Sequence, residues 1–387
     1  MTSNGSVNMA SVLGTTALSL SDEQAMLMEV ARSFVRDQVP IERVREHLES
    51  ASGFDPAVWA EMVAMGWSGV ALPEVVGGAE MGFGAVVPII EALGFGVVGT
   101  PLMSTILAGQ LLVDAGAGAV DDRLTAIASG SVATVAFLDG GDWGAPQRSV
   151  VVQADGSLSG CKHFVGDALE AAFFVVVCEY EGEPALALVD RSALAAEALT
   201  PNALIDLTKR SASVDFSGVK PAQLLTGATV AEGIERYRLY GALLCATEAV
   251  GTSHRCLTAL VDYMTTRKQF GKLIGSYQAL KHPAVDIYCG VEDARSFVYH
   301  AATLIDRAGD HSDIEIACRM AKASATELIG YAGDRSVQFH GGFGFTWDCD
   351  STLFIRRAQW TRQVFGDAGH HRKHLARLLL DPVINSG

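Results

Sequence analysis

What this sequence lacks narrows it quickly. Its seven cysteines (Cys161, Cys178, Cys245, Cys256, Cys289, Cys318 and Cys349) are scattered, odd in number and nowhere spaced as CxxC. That excludes a zinc ribbon or a disulfide framework and predicts buried free thiols in a reducing compartment. No run reaches the roughly 18 apolar residues of a membrane helix. The opening "MTSNGSVNMASVLGTTALSLSDEQ" has no basic segment, so no secretory signal is expected. Residues 1–19 read as a flexible leader and the protein as cytoplasmic. Positive charge is scarce: 29 Lys and Arg face 44 Asp and Glu, for a net charge of -15. Nonspecific nucleic-acid binding, which needs clustered Lys and Arg, is not expected. An anionic ligand held by a few local arginines or helix N-termini stays compatible with this balance.

Nucleotide and metal fingerprints are missing too. There is no GxxxxGK[ST] loop, no GxGxxG between a strand and a helix, and no HExxH. "DAGAGAVDD" is rich in Gly and Ala but follows no strand. His370 and His374 are spaced to share a helix face. Arg372 and Lys373 lie between them and no third ligand is apparent, so a solvated basic face is expected rather than a metal site.

What is present is a helical, β, helical order. Residues 20–128 read as a helical domain. Ser21 with Gln24 forms a capping-box pattern, and Leu27, Val30, Ala31 and Phe34 recur at helical spacing. Val58, Met62 and Met65 repeat that spacing. Residues 129–228 change character. "VATVAFL", "SVVVQAD", "AAFFVVVCEY", "PALALVD" and "SASVDFSG" are short β-rich runs separated by turn residues. They predict an antiparallel β-sandwich or barrel. Residues 229–387 return to helices, about 230–265, 275–307, 312–338 and 367–380, a C-terminal four-helix bundle. The expected fold class is α+β and multidomain.

Two stretches carry more specific information. "TTRKQFGKLIGSYQALKH" presents Arg267, Gln269, Phe270 and Gln278 after a long helix. "SVQFHGGFGFTWD" ends a helix at Gln338 and continues through His340, Gly341 and Gly342. A Gly pair after a helix lets backbone approach a ligand closely. Each stretch alone reads equally well as a helix cap with a salt-bridging Arg. Together, about 60 residues apart and after a β domain, they closely resemble the acyl-CoA dehydrogenase family. "LPEVVGGAEMGFG" in the N-terminal region adds to the match. The resemblance covers nearly the whole chain from about residue 20. It extends to an actinobacterial subgroup whose C-terminal turn reads FGD, several members of which act on bulky or steroid-side-chain thioesters.

The resemblance implies an FAD-dependent oxidoreductase of lipid or steroid degradation by β-oxidation. A carboxylate base takes the α-proton of an acyl-CoA, and the β-hydrogen leaves as hydride to FAD. It implies that Arg267 contacts the FAD pyrophosphate, that Gln269 and Phe270 complete that turn, and that Gln278 also meets FAD. Gln338, His340, Gly341 and Gly342 match the segment that reaches the FAD of a neighbouring subunit. The implied assembly is a homotetramer, or an α2β2 heterotetramer with a homologous chain, serving an electron acceptor such as an electron-transfer flavoprotein. No metal and no membrane partner is implied.

The departures from the family pattern are equally informative. "AFLDGGDWGAP" stands where the family has a "TEPGAGSD"-like flavin loop. "KHFVGD" stands where it has "KxWIT", with Lys162 kept and Phe164 in place of Trp. Phe365 takes the position of the usual catalytic Glu, and Gly241 the position used by a second group of members. Two carboxylates remain as candidate bases. Asp367 lies two positions after Phe365, and Glu248 lies two helical turns after Gly241 on a face shared with Leu244 and Cys245. A structural Glu248 paired to an Arg such as Arg255 is the alternative for the latter. Two readings follow, an active dehydrogenase with a displaced base or a non-catalytic partner that completes the FAD site of a catalytic chain. Other flavin chemistry, such as nitroalkane or aryl oxidation, is a third.

Overall fold

The structure is a computed structural model, and it describes residues 21–116, 121–145 and 147–385. The expected leader, residues 1–19, lies outside the described residues. Six helices come first: α1 (Asp22–Gln38), α2 (Ile41–Glu46), α3 (Pro56–Ala64), α4 (Val86–Phe95), α5 (Leu102–Gly116) and α6 (Asp121–Ala128). The capping box on α1 forms: Gln24 N donates to Ser21 Oγ at 3.1 Å and Ser21 N to Gln24 Oε1 at 3.3 Å. The buried stripe of α1 is Met28, Ala31, Phe34 and Val35, while Val30 faces out. Asp55 caps α3 by accepting from Ala57 N at 2.8 Å. Val58 and Met62 are buried as expected. Met65 is not, because α3 ends at Ala64 and Gly66 turns the chain at a φ of 76°.

The β region holds β1 (Ala133–Ala136), β2 (Val151–Val152), β3 (Leu158–Ser159), β4 (Cys161–Gly166), β5 (Phe173–Tyr180), β6 (Glu183–Asp190), β7 (Leu199–Pro201), β8 (Ser211–Asp215) and β9 (Gln223–Thr226). One sheet runs β3-β2-β5-β6-β9 with β1 beside β5, and a second runs β4-β8-β7. The expectation of a purely antiparallel domain is corrected here: β1 and β2 both pair with β5 in parallel, and the strands form two sheets with no closed barrel among the described residues. Strand β5 explains its own unbroken apolar sequence. Phe173, Val175 and Val177 enter the main core beneath the helices, while Phe174, Val176 and Cys178 enter a second core between the sheets. Both faces are covered, so no polar residue alternates.

The C-terminal part contains α7 (Ala228–Thr266), a small hairpin of β10 (Lys268–Gln269) and β11 (Lys272–Leu273), then α8 (Gln278–Asp306), α9 (His311–His340), α10 (Ser351–Thr361) and α11 (Ala368–Asn385). The four expected helices are present, and α10 is a fifth. Every residue of α7 from Leu239 to Ser253 is buried, which makes it the central helix of the domain. It crosses α4 at backbone contact distance. A Cβ added to Gly94 would meet the Glu248 carbonyl oxygen at 2.3 Å, and one added to Gly251 would meet the Glu91 oxygen at 2.0 Å. This crossing locks the N-terminal helices to the C-terminal ones. No described helix is long and apolar enough to cross a membrane.

Candidate active site

Helix α5, the β region and the turn after α10 enclose a mainly apolar cavity of about 370 Å³. Met103 and Leu107 come from α5, Val135 from β1, Tyr237 from α7 and Trp360 from α10. Phe365, from the turn before α11, closes one side. Its backbone is left-handed, with a φ of 57°, and Gly366 follows at 91°. The buried His371 holds this turn through Nε2 and the Phe365 carbonyl oxygen, 2.9 Å apart. Burial pushes the His371 imidazole down to about 2, with Lys322 adding to the effect, so the ring is neutral at ordinary pH.

The Phe365 ring packs on Trp143 with centroids 4.5 Å apart and edge-on to Tyr237 at 5.6 Å. It also lies directly over Gly241. A Cβ at Gly241 would sit 2.2 Å from two carbons of the ring. The two positions that the family resemblance matches to a base are therefore in contact here, one as Gly and the other as the aromatic ring above it. Neither supplies a carboxylate, and Gly241 has no room for a larger side chain while the Phe365 ring stays.

Asp367 stands outside this cavity. Its Oδ1 accepts from His370 N at 2.6 Å, the bond of an N-cap to the third residue of α11. It is exposed and borders a surface cleft with Thr326, Glu327 and Arg362. His370 and His374 do share a face, with ring centroids 4.7 Å apart. Burial lowers both, His374 to about 4. Among the described residues no group of three His, Cys, Asp or Glu could hold a metal ion.

Glu248 is buried on α7 but does not line the cavity. Its Oε1 accepts from Lys209 Nζ at 2.7 Å and pairs with Arg357 Nη1 at 2.8 Å. Arg357, fully buried, also binds Asp206 and Thr208. The partners of Glu248 are thus Arg357 and Lys209. Arg255 lies instead over the Phe95 ring, 5.5 Å from its centroid. Breaking such a buried pair from one side costs about 3–5 kcal/mol, which marks Glu248 as part of the framework.

Sequence reasoning missed the carboxylate that does line the cavity. Asp167 follows β4, where the pairing with β8 shifts register between Lys162 and Val165. Ser104 of α5 donates to its Oδ2. Burial pushes the Asp167 carboxyl up to about 6, against the opposing pull of the Ser104 hydrogen bond and of Lys209. "KHFVGD" drew notice for Lys162 and Phe164. Lys162 proves to be buried and tied to Asp139 and to the Phe137 carbonyl at 3.0 Å. Phe164, half exposed, borders the cavity.

The residues matched to FAD contacts gather elsewhere, at the far end of α7 and α9. Arg267 caps α7, and Gln269 opens the turn of the small hairpin. Phe270 and Gly271 form that turn with φ values of 55° and 75°. Gln278 begins α8. His340 lies on the Tyr263 ring, centroids 4.4 Å apart, which brings the end of α9 beside the end of α7. Its Nδ1 is 2.7 Å from the Ser336 carbonyl oxygen. Arg267, Gln269, Phe270, Gln278, Gln338, Gly341 and Gly342 are all exposed, and none lines the cavity. Phe270 and Phe345 are 85% and 81% exposed, apolar surface that a chain acting alone would leave in water.

Comparison with known proteins bears on the family and the fold. Residues 238–380 match the family described as acyl-CoA dehydrogenase, C-terminal domain, and residues 21–131 match its N-terminal domain. Acyl-CoA dehydrogenase IpdE2 of Mycolicibacterium smegmatis is 30% identical over 362 residues, 93% of this chain and 98% of that protein. Acyl-CoA dehydrogenase FadE12 of Mycobacterium tuberculosis is 29% identical, over 88% of this chain and 92% of its own length. Among solved structures, a variant of the Tcur3481–Tcur3483 steroid acyl-CoA dehydrogenase superposes with a TM-score of 0.83. It is 27% identical and covers 95% of this chain and 100% of its own. The ChsE4–ChsE5 complex of Mycobacterium tuberculosis gives 0.84 at 24% identity, over 93% of this chain and 98% of its own, a likeness of fold. The family's cofactor is FAD. Fold, motifs and matched domains agree: this chain belongs to the acyl-CoA dehydrogenase family.

Proposed function

We propose that this chain is a subunit of an FAD-dependent acyl-CoA dehydrogenase that works with a homologous, base-bearing chain. One observation carries the reading: the Phe365 ring fills the space over Gly241, where either family base would stand. Asp367 is engaged as a helix cap and Glu248 by Lys209 and Arg357, so neither is directed at the cavity. The loop at the family's flavin position is also turned inward. Its Trp143 packs on Phe137 and Phe365, and the Trp143 carbonyl accepts from Arg238 at 2.6 Å.

The exposed end of α7 and α9 fits one half of an FAD site. Arg267 would meet the pyrophosphate as a fixed cation. Gln269, Gln278 and Gln338 would supply amide hydrogen bonds, and the Gly341–Gly342 backbone would allow close approach. FAD, when bound, accepts the substrate's β-hydrogen as hydride. In this division of labour the present chain binds and orients, and the partner chain takes the α-proton. The assembly is α2β2, the substrate an acyl-CoA, and the final electron acceptor a protein such as an electron-transfer flavoprotein. The likeness to the Tcur3481–Tcur3483 steroid acyl-CoA dehydrogenase favours a bulky, steroid-derived acyl group. The compartment is the cytoplasm.

The test is to purify the chain alone and co-purified with a homologous chain that carries a family Glu. Bleaching of the flavin by a panel of acyl-CoAs is then followed. Bleaching in the pair and none in the single chain is expected. A single chain that holds flavin and bleaches fully would overturn the reading, and loss of that bleaching in Asp367→Ala or Glu248→Gln would identify its base.

A further inference from the structure

The charged groups of the cavity wall, Asp167, Lys209 and Arg210, lie together with Ser104, Thr134 and Ser211, and their hydrogen bonds can be traced group by group. Arg210 donates to the carbonyls of Leu48, Ser50, Leu207 and Lys209. Thr134 Oγ1 donates to the Gly166 carbonyl at 2.7 Å, and Ser211 Oγ to Asn202 Oδ1 at 3.1 Å. Lys209 is committed to Glu248 and lies over the Trp360 ring. Ser104 is committed to Asp167 Oδ2. Asp167 Oδ1 accepts no hydrogen bond among the described residues. Asp167 is also the one acidic side chain on the cavity wall among the described residues.

The backbone points to the same place. Eight described non-glycine residues have left-handed φ values, and three of them (Phe164 at 51°, Asp167 at 52° and Phe365 at 57°) line this cavity. Such conformations persist where surrounding structure enforces them, and they cluster at binding sites. The register shift in β4 precedes Asp167 and re-aims the strand's end. Asp167 N donates to the Arg210 carbonyl at 3.0 Å, which fixes the turn from the backbone side.

We propose that Asp167, anchored by Ser104, accepts the hydroxyl of an otherwise apolar acyl group, so that this cavity binds hydroxylated acyl ligands. The proposal rests on the proposed function, with this cavity taken as the place of the acyl group, and does not depend on which chain holds the base. A free carboxylate oxygen in an apolar chamber calls for one donor on an apolar body. A ketone brings no donor. A second carboxylate would be repelled by Asp167. An ammonium would meet Lys209 and Arg210 on the same wall, whereas a neutral hydroxyl meets no such opposition. The carboxyl, lying near 6, is mostly ionised at neutral pH and acts as acceptor.

The test uses 2-decalol and its methyl ether, a matched pair in which only the donor is lost. Binding to the full chain, co-purified with its homologous partner where that is needed, is followed by calorimetry and by ligand-detected NMR without added flavin or CoA. The alcohol is expected to bind about tenfold tighter than the ether, the usual scale for one hydrogen bond to a charged acceptor. Asp167→Ala should bring the two within about twofold with the ether's affinity unchanged, and Asp167→Asn should fall between. Wild-type protein that binds both equally, or neither, overturns the proposal, as does an Asp167→Ala variant that keeps the preference. If Asp167→Ala does not fold, the wild-type ratio and Ser104→Ala, which should narrow that ratio, decide the matter. This outcome is separate from the flavin experiment. A lost alcohol preference beside normal bleaching in the pair would remove only the role of Asp167.

Discussion

The cavity and the exposed end of α7 and α9 have followed opposite courses. Around the cavity, the positions that the family resemblance matches to chemistry hold Gly241, Phe365 and Phe164, and the Phe365 ring packs over Gly241 and on Trp143. At the exposed end, the residues matched to FAD contacts are all present, none is buried, and none lines the chain's own cavity. The one is an enclosed, mainly apolar chamber and the other an exposed polar face. The difference separates the part of the chain that can enclose a ligand by itself from the part that the proposed function assigns to a shared site.

The largest expected effect breaks the interior side. Arg357→Gln should lose about 3–5 kcal/mol, because Glu248 and Asp206 would be left buried against a neutral amide. Chemical denaturation reads this directly. Next is Gly241→Ala, expected to lose about 1–3 kcal/mol by forcing a methyl group against the Phe365 ring. Phe365→Ala should cancel much of that loss in a double-mutant cycle. Additive losses would mean that the two residues do not share the space.

Asp167 gives a smaller effect with a defined sign. Folded, its carboxyl keeps its proton to about 6, and unfolded to about 4. Between those values the folded state binds more protons, so stability falls as pH rises through the window. The cost is absent below pH 4 and complete above pH 6, about 1–2 kcal/mol once partial solvent access is allowed for. Asp167→Asn should therefore raise the melting temperature more at pH 8 than at pH 5. Asp367→Ala is expected to cost about 1 kcal/mol as a lost helix cap and to leave bleaching by the assembled pair unchanged.

Much of the fold was legible because its elements obey local rules. The Ser21 cap, the long helices α7 to α9 and the apolar run of β5 are all written in short-range pattern. Helix α10 was not, since its inward face mixes Leu353, Phe354 and Ala358 with Arg357 and Thr361, which breaks the apolar period. The parallel pairing of β1 and β2 with β5 was hidden because strand partners are chosen at long range. At the site, Gly241 and Phe365 could each be read as departures from the family pattern, but only the structure shows that they are in contact. Asp167 left no sequence signal, because its place on the cavity wall depends on the shift in β4 and on a left-handed turn. Asp367 and Glu248 looked alike as carboxylates. Packing and hydrogen bonds distinguish a cap and a buried ion pair from a free acid.

The flavin content of the assembled pair tests the central claim most directly. With wild-type protein, FAD per base-bearing chain should approach one, and this chain purified alone should hold almost none. Arg267→Gln, which changes an exposed side chain and should shift this chain's own stability by less than about 0.5 kcal/mol, should lower the flavin of the pair severalfold. Full flavin in the Arg267→Gln pair, or full flavin in the single chain, would contradict the account.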